Sequence, residues 1–260
     1  MSFTGKTKAS TYKDILQMNN SNSGVDTTTR NVVDGEGTAS SISISDDVLT
    51  VKPQNDDTTA LFNVQDSDSN NLLVVDSTND LIKAGLTQTA VNTQIQHFGF
   101  SSNALLPTNT NWQGVPSFAQ ETQSRLEMGS GSTPDSSLTI SLNGDDLVGH
   151  IFYVPVNLTI DSCSVWVGAD ASSGDTLQFS VMSYDIDTSN SATGGDLSNG
   201  AEHCVSPSTI TSAGYEQSYF QQLTVSTANV DAGKVIMAFI KSDGTNSDYS
   251  VNMNLVYHIR

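Results

Sequence analysis

The apolar residues of this chain come in short β-branched and aromatic runs, Ile151-Phe152-Tyr153-Val154 and Val235-Ile236-Met237-Ala238-Phe239-Ile240 among them, each bounded by residues that favour turns. Runs of this kind build the core of a sheet. They fall far short of the roughly 18 to 20 consecutive apolar residues of a membrane span, so no membrane insertion is expected. Between the runs, Ser, Thr, Asn and Asp fill 109 of the 260 positions. Their short polar side chains compete for backbone hydrogen bonds and suit turns, caps and sheet edges better than helix interiors. A helical bundle or a doubly wound α/β enzyme needs long stretches of Ala, Leu, Glu and Lys instead. The apolar runs also argue against full disorder, which a merely polar composition would allow. The expected fold class is all-β.

Charge narrows the partners. Ten Lys and Arg stand against 28 Asp and Glu, for a formal charge of −18, and there is no Lys or Arg between Arg125 and Lys234. Phosphate binding needs clustered cations, so nucleic acid is not an expected partner. The start, MSFTGKTKAS, has basic residues with no apolar stretch behind them, and an export signal is not expected. Cys163 and Cys204 are too few and too far apart for a disulfide scaffold or a zinc site. Cys163 shares a face with Val165 and Val167 and reads as a small buried hydrophobe. His97, His150, His203 and His258 lack ligand spacing, so neither a metal nor a cofactor is expected.

Three textures follow one another. Residues 1–40 form a polar leader in which Ser10 to Met18 suits a helix of about two turns, with Tyr12, Ile15 and Leu16 on one face. So short a helix is unstable alone. Its apolar face packs either on the chain's own body or on a partner. Residues 41–90 read as short strands between turns: Ser41-Ile-Ser-Ile-Ser45 and Val48 to Val51, then Ala60 to Gln65, Leu72 to Val75 and Asp80 to Gly85. One Phe and a few aliphatics cannot close an independent core there. Such a segment is expected to find its core in identical chains around an axis, as a shaft. Residues 91–260 hold longer strands and most of the aromatics, with strand patterns at 93–100, 137–142, 150–156, 158–167, 176–184, 219–225, 233–240 and 249–259. An antiparallel β-sandwich, a jelly roll by preference, is expected.

No catalytic constellation is present. The sequence has no Gly-x-Ser-x-Gly elbow, no His-Glu-x-x-His and no phosphate loop. Carboxylate pairs could be drawn anywhere among 28 acids, so none is supported for glycan cleavage, and Glu121, Glu127, Glu202 and Glu216 read as solvated charge. Asp66-Ser-Asp-Ser-Asn70 has the first, third and fifth oxygens of a calcium loop. It has Asn71 where Gly is needed and Ser77 where Glu is needed, and reads as a hairpin turn. Asp185-Ile-Asp-Thr-Ser-Asn190 is a weaker case of the same kind. The aromatics nearest to loop signals, Trp112, Tyr215 and Tyr219, are the candidate receptor contacts, each with packing as the competing role.

The leader Ser10-Thr-Tyr-Lys-Asp-Ile-Leu-Gln17 with Asn20 to Asp26 and Asp34-Gly-Glu-Gly37 resembles the N-terminal attachment segments of tail fibres and other virion appendages in phages of aquatic bacteria. Ala60 to Gln65 with Asn71 to Gly85 is similar to a strand, turn, strand phrase of phage fibre shafts. Leu158 to Asp170, with the ending from Ser247 to Arg260, resembles the β-sandwich knobs of such fibres. The resemblance implies a non-enzymatic homotrimer in the virion, assembled in the bacterial cytoplasm. Its leader would join it to other virion proteins through Tyr12, Ile15 and Leu16, and a distal knob would meet a host surface glycan. Tail fibres of the short-tailed phages carry a larger N-terminal adaptor than these 40 residues, which leaves a capsid fibre or decoration protein of the same architecture as the alternative. A glycan-degrading spike and a cellular carbohydrate-binding adhesin are further alternatives. The scarcity of cations in the knob, with no Lys or Arg between Arg125 and Lys234, implies a neutral glycan, or an anionic one bridged by divalent cations.

Overall fold

Strand-forming residues alternating with turn-formers fold as successive hairpins, and the N-terminal part of the chain does so. The computed structural model describes residues 12–21, 23–101, 110–118, 126–140, 144–169, 173–243 and 249–260. It divides into two units, Met1–Val91 and Asn92–Arg260.

In the first unit a 3-10 turn at Tyr12–Asp14 precedes β1 (Gln17–Met18), β2 (Arg30–Val33), β3 (Ala39–Ile44) and β4 (Leu49–Val51), an antiparallel sheet in chain order. A second sheet, also in chain order, holds β5 (Phe62–Gln65), β6 (Asn71–Asp76), β7 (Leu81–Ala84) and β8 (Thr89–Ala90). Aspartates hold the turns. Asp34 Oδ1 accepts the N–H groups of Glu36 at 2.8 Å and Thr38 at 2.9 Å, and Asp66 Oδ1 accepts those of Asp68 and Asn70, both at 2.9 Å. Each carboxylate satisfies two turn amides that would otherwise face water alone.

Two expectations for this region change. Residues 10 and 11 lie outside the described residues, and the rest of the expected helix is a 3-10 turn followed by a strand, with Gln17 and Met18 paired to Val33 and Val32. Two helical turns would leave most of their backbone groups without intrahelical partners, whereas a sheet partner was at hand. The boundary drawn at residue 40 also falls inside β3, which pairs with β2. The polar leader and the first strands of the expected shaft therefore share one sheet.

The second unit runs β9 (Thr93–Phe100), β10 (Gln113–Val115), a short helix (Gly144–Val148), β11 (Phe152–Tyr153), β12 (Leu158–Ala169), β13 (Ser173–Ile186) and β14 (Leu197–Val205). It continues with β15 (Ile210–Ala213), β16 (Gln217–Gln222), β17 (Thr224–Val225), β18 (Asn229–Val230), β19 (Lys234–Ser242) and β20 (Tyr249–Ile259). One sheet has the order β16-β12-β20-β9, and the other β10-β19-β13-β14-β17. Among β9, β10, β12, β13, β14, β16, β19 and β20, the first, eighth, third and sixth share one sheet, and the second, seventh, fourth and fifth the other. That is the strand order of a jelly roll, as expected.

Burial separates the two sheets. In β19, Ile236, Ala238 and Ile240 enter the core between the sheets, while Val235, Met237 and Phe239 enter a second cluster on the far side with Trp112, Leu126, Met128 and Leu147. A strand buried on both faces reads as a continuous apolar run. In β12, and in β20 as far as Tyr257, only alternate residues are buried: Cys163, Val165 and Val167, and Val251, Met253 and Leu255. Their other face is open.

Other expected strands are shorter. Residues 137–142 give one bridge, Leu138 to Leu197, with 141–143 outside the described residues, and 150–156 shrinks to β11. Residues 219–225 split, because β16 belongs to one sheet and β17 to the other.

Candidate ligand groove on the open sheet face

Period-two alternation along β12 places Ser164, Trp166 and Gly168 opposite the buried Cys163, Val165 and Val167. Trp166 is the anomaly on that polar face, with 51% of its surface exposed. In β16 its register partner is Phe220, 53% exposed, and the two rings stand 5.1 Å apart, tilted by 48°. In β20 its partner is Asn252, which in turn faces Gly99 of β9. A single row across four strands is therefore Phe220, Trp166, Asn252, Gly99.

The next row is polar throughout. Gln222 faces Ser164, Ser164 faces Asn254, and Asn254 faces His97. His97 Nδ1 lies 3.3 Å from Asn254 Oδ1, and Asn254 Nδ2 donates to Asn252 Oδ1 at 3.3 Å. The amides and imidazole thus form a chain beside the rings. A groove of about 500 Å³ opens here, lined by Trp166, Asn252, His97, Ser218, Ser250 and Gly168 among others, within the range of small-molecule sites. None of its lining residues carries a carboxylate, a lysine or an arginine.

Two glycines shape the floor differently. A Cβ on Gly99 would meet the carbonyl oxygen of Val251 at 2.6 Å, so strand packing demands glycine there. A Cβ on Gly168 would meet only the Cβ of Ser250, at 3.9 Å. Packing makes no such demand at 168.

The aromatics singled out from the sequence lie elsewhere. Trp112 is 1% exposed, its Nε1 donates to the carbonyl of Gly131 at 3.1 Å, and the Lys241 ammonium sits 5.6 Å from its ring centroid. It is a core residue and not a receptor contact, because Leu126, Met128 and Leu147 pack with it in the second cluster on its side of the second sheet. Tyr219 is half-buried against the main core, with its hydroxyl accepting the Ala213 N–H at 2.9 Å. Tyr215 is exposed after Gly214, whose φ is +80°, but does not line the groove. Ile15 and Leu16 are 38% and 70% exposed, and the side chain of Tyr12 lies outside the described residues. The signal for Trp166 was available: once Cys163, Val165 and Val167 share a face, alternation puts Trp166 on the other.

One buried pair has the elements of a catalytic dyad without access. His203 Nδ1 donates to the Thr227 carbonyl at 2.7 Å, so Nε2 accepts from Ser183 Oγ at 2.8 Å. Burial pulls the imidazole below its ordinary pKa, and both side chains are sealed from solvent. This pair holds β13 to β14 and is closed to substrate. The Asp66 loop is a hairpin turn, its carboxylate also accepting from Asn70 Nδ2 at 3.0 Å. Among the described residues no cluster of three or more His, Cys, Asp or Glu is placed to hold a metal, and no helix is long and apolar enough to cross a membrane.

No protein-family model matches the chain, and no curated protein matches it.

Proposed function

We propose that this protein is a non-enzymatic structural component of a phage virion, a homotrimeric tail fibre or spike whose jelly roll is the distal, host-facing knob. The observation that carries the reading is the missing core of the first unit. Among its described residues only Val33 and Val74 are buried hydrophobics, while Ile15, Leu16, Ile42, Leu49, Phe62, Ile82 and Leu86 are among twelve large hydrophobics left exposed. At about 1.5–3 kcal/mol for each full burial, roughly half completed here, some 10–20 kcal/mol of burial is left unused. That is as large as the whole stability of an ordinary domain, about 5–15 kcal/mol.

Copies of the chain packed side by side would supply the missing surface, and the resemblance to fibre shafts supports three of them around one axis. The exposed Ile15 and Leu16, ahead of the first strand, suit docking on another virion protein. A rigid jelly roll presenting an open face suits attachment. Gold labelling of this chain on intact particles, viewed by electron microscopy, tests the assignment. Label at the tail is expected; label on the capsid would move the fibre to the head, and unlabelled particles would remove the virion reading.

A further inference from the structure

We infer that the groove on the open face of the β16-β12-β20-β9 sheet binds an uncharged glycan, with Trp166, flanked by Phe220, as the stacking platform and Asn252 and His97, flanked by Asn254, as hydroxyl partners. The inference deepens the attachment role proposed above and rests on it for the source of the glycan. A sugar ring presents an apolar C–H face and a rim of hydroxyls. The exposed faces of Trp166 and Phe220 match the first, since aromatic rings offer a flat apolar surface with negative charge over its centre. The row of amides and imidazole matches the second, because each hydroxyl both donates and accepts and so do these groups as a set. The nitrogen of the Asn252 side chain has no partner among the described residues and is available for a ligand.

Charge selects the ligand class. In a chain with a net charge of −18, a groove lined without one carboxylate is a neutral island. It also has no lysine or arginine, so an anionic sugar would find no counter-charge within the groove and a net repulsion outside it.

Gly168 supplies an independent argument. Glycine in a strand interior costs backbone entropy and packs nothing. Where a Cβ would meet only an ordinary contact at 3.9 Å, no packing constraint explains it. What its bare backbone does is keep the groove open beside Trp166.

The test uses the purified full-length chain against immobilised neutral polysaccharides (mannan, a β-glucan and a galactan) and anionic ones (alginate and dextran sulfate). Three variants accompany it. Trp166→Ala removes the platform, Gly168→Val fills the groove with a residue that strands favour, and Tyr215→Ala alters an exposed aromatic outside it. Retention on at least one neutral polysaccharide is expected, unchanged between low and high salt, weakened at least about tenfold by each groove variant and untouched by Tyr215→Ala. Binding to none of the neutral probes, binding that survives both groove variants, or preference for the anionic probes would each overturn the inference. So would a smaller oligomer for Trp166→Ala, which would make this face a subunit contact. Particle labelling is independent of these results: glycan binding by a chain absent from virions would leave the groove standing and remove the fibre.

Discussion

Trp112 and Trp166 are the two tryptophans of the chain, and they occupy opposite environments, 1% and 51% exposed. Trp112 fills the second cluster and spends its one N–H on the Gly131 carbonyl. Replacing it with Ala should destabilise the protein by about 3–5 kcal/mol, the usual cost of emptying a large aromatic site. Trp166→Ala should cost less, about 1–3 kcal/mol, since it forfeits half a burial and one ring contact. Chemical denaturation of the two variants checks the contrast. Acrylamide should quench close to half of the native tryptophan fluorescence, and a glycan bound in the groove should protect that half. Proximity to loop signals pointed to Trp112, Tyr215 and Tyr219, because loops are where recognition usually sits. What decides exposure, though, is which face of which sheet a residue occupies. For Trp166 that could be read from alternation; for Trp112 it depends on the covering residues Leu126, Met128 and Leu147, which no local pattern announces.

At the level of elements, the sheets were legible where one face is open or both are closed. The alternating β12 and β20 and the continuous β19 were readable for that reason. β14 was not, because Leu-Ser-Asn-Gly-Ala-Glu-His-Cys-Val has little intrinsic strand preference and is held by its neighbour β13 and the His203–Ser183 bond. The abundance of Asp also acquires a structural role in the turns. Asp76 is the extreme case: its buried carboxylate accepts from Lys83 Nζ at 2.6 Å, Asn79 Nδ2 at 2.9 Å and the backbone N–H groups of Asn79 and Thr78. Burial pushes its pKa up, but the bonds from Lys83 and Asn79 prevail and hold it at about 2. Asp76→Ala should cost about 2–3 kcal/mol in the first unit, read as a lower denaturation midpoint.

Asp26, Asp34, Asp66, Asp185 and Asp187 are lowered as well, chiefly by hydrogen bonds from Arg30, Thr38, Asn70, Lys234 and Thr193 respectively. A folded pKa below the unfolded value gives stability that is present above about pH 4 and lost as the pH falls through the folded values, so acid unfolding should set in between about pH 4 and 2. His203, lowered by burial, adds a smaller loss in the second unit that begins as the pH drops below about 6.5. Melting temperatures measured across this range check both windows. Cys163 and Cys204 lie wholly in the main core, where the neighbouring Cys204 thiol and burial raise the Cys163 pKa far above its ordinary value. Neither thiol should react with a disulfide reagent at neutral pH until the protein is unfolded, when both should.

For the molecule as a whole, one unit closes its own core and the other does not. The jelly roll has both a two-sheet core and a covered outer cluster, which bury most of its large side chains within one chain, Trp166 and Phe220 on the open face being exceptions. The first unit has short strands, turns well satisfied by aspartates, and apolar side chains in water. Strands and turns were legible in its sequence because they are local. Subunit number was not, because in the proposed fibre the contacts that close the core come from other chains. A fragment beginning at residue 92 should therefore remain folded and monomeric, while the full chain associates. The most direct measurement of that claim is light scattering on the purified full-length protein across a dilution series. Three times 27.6 kDa at every concentration is the predicted result, and a monodisperse 27.6 kDa species with the first unit still folded would contradict it.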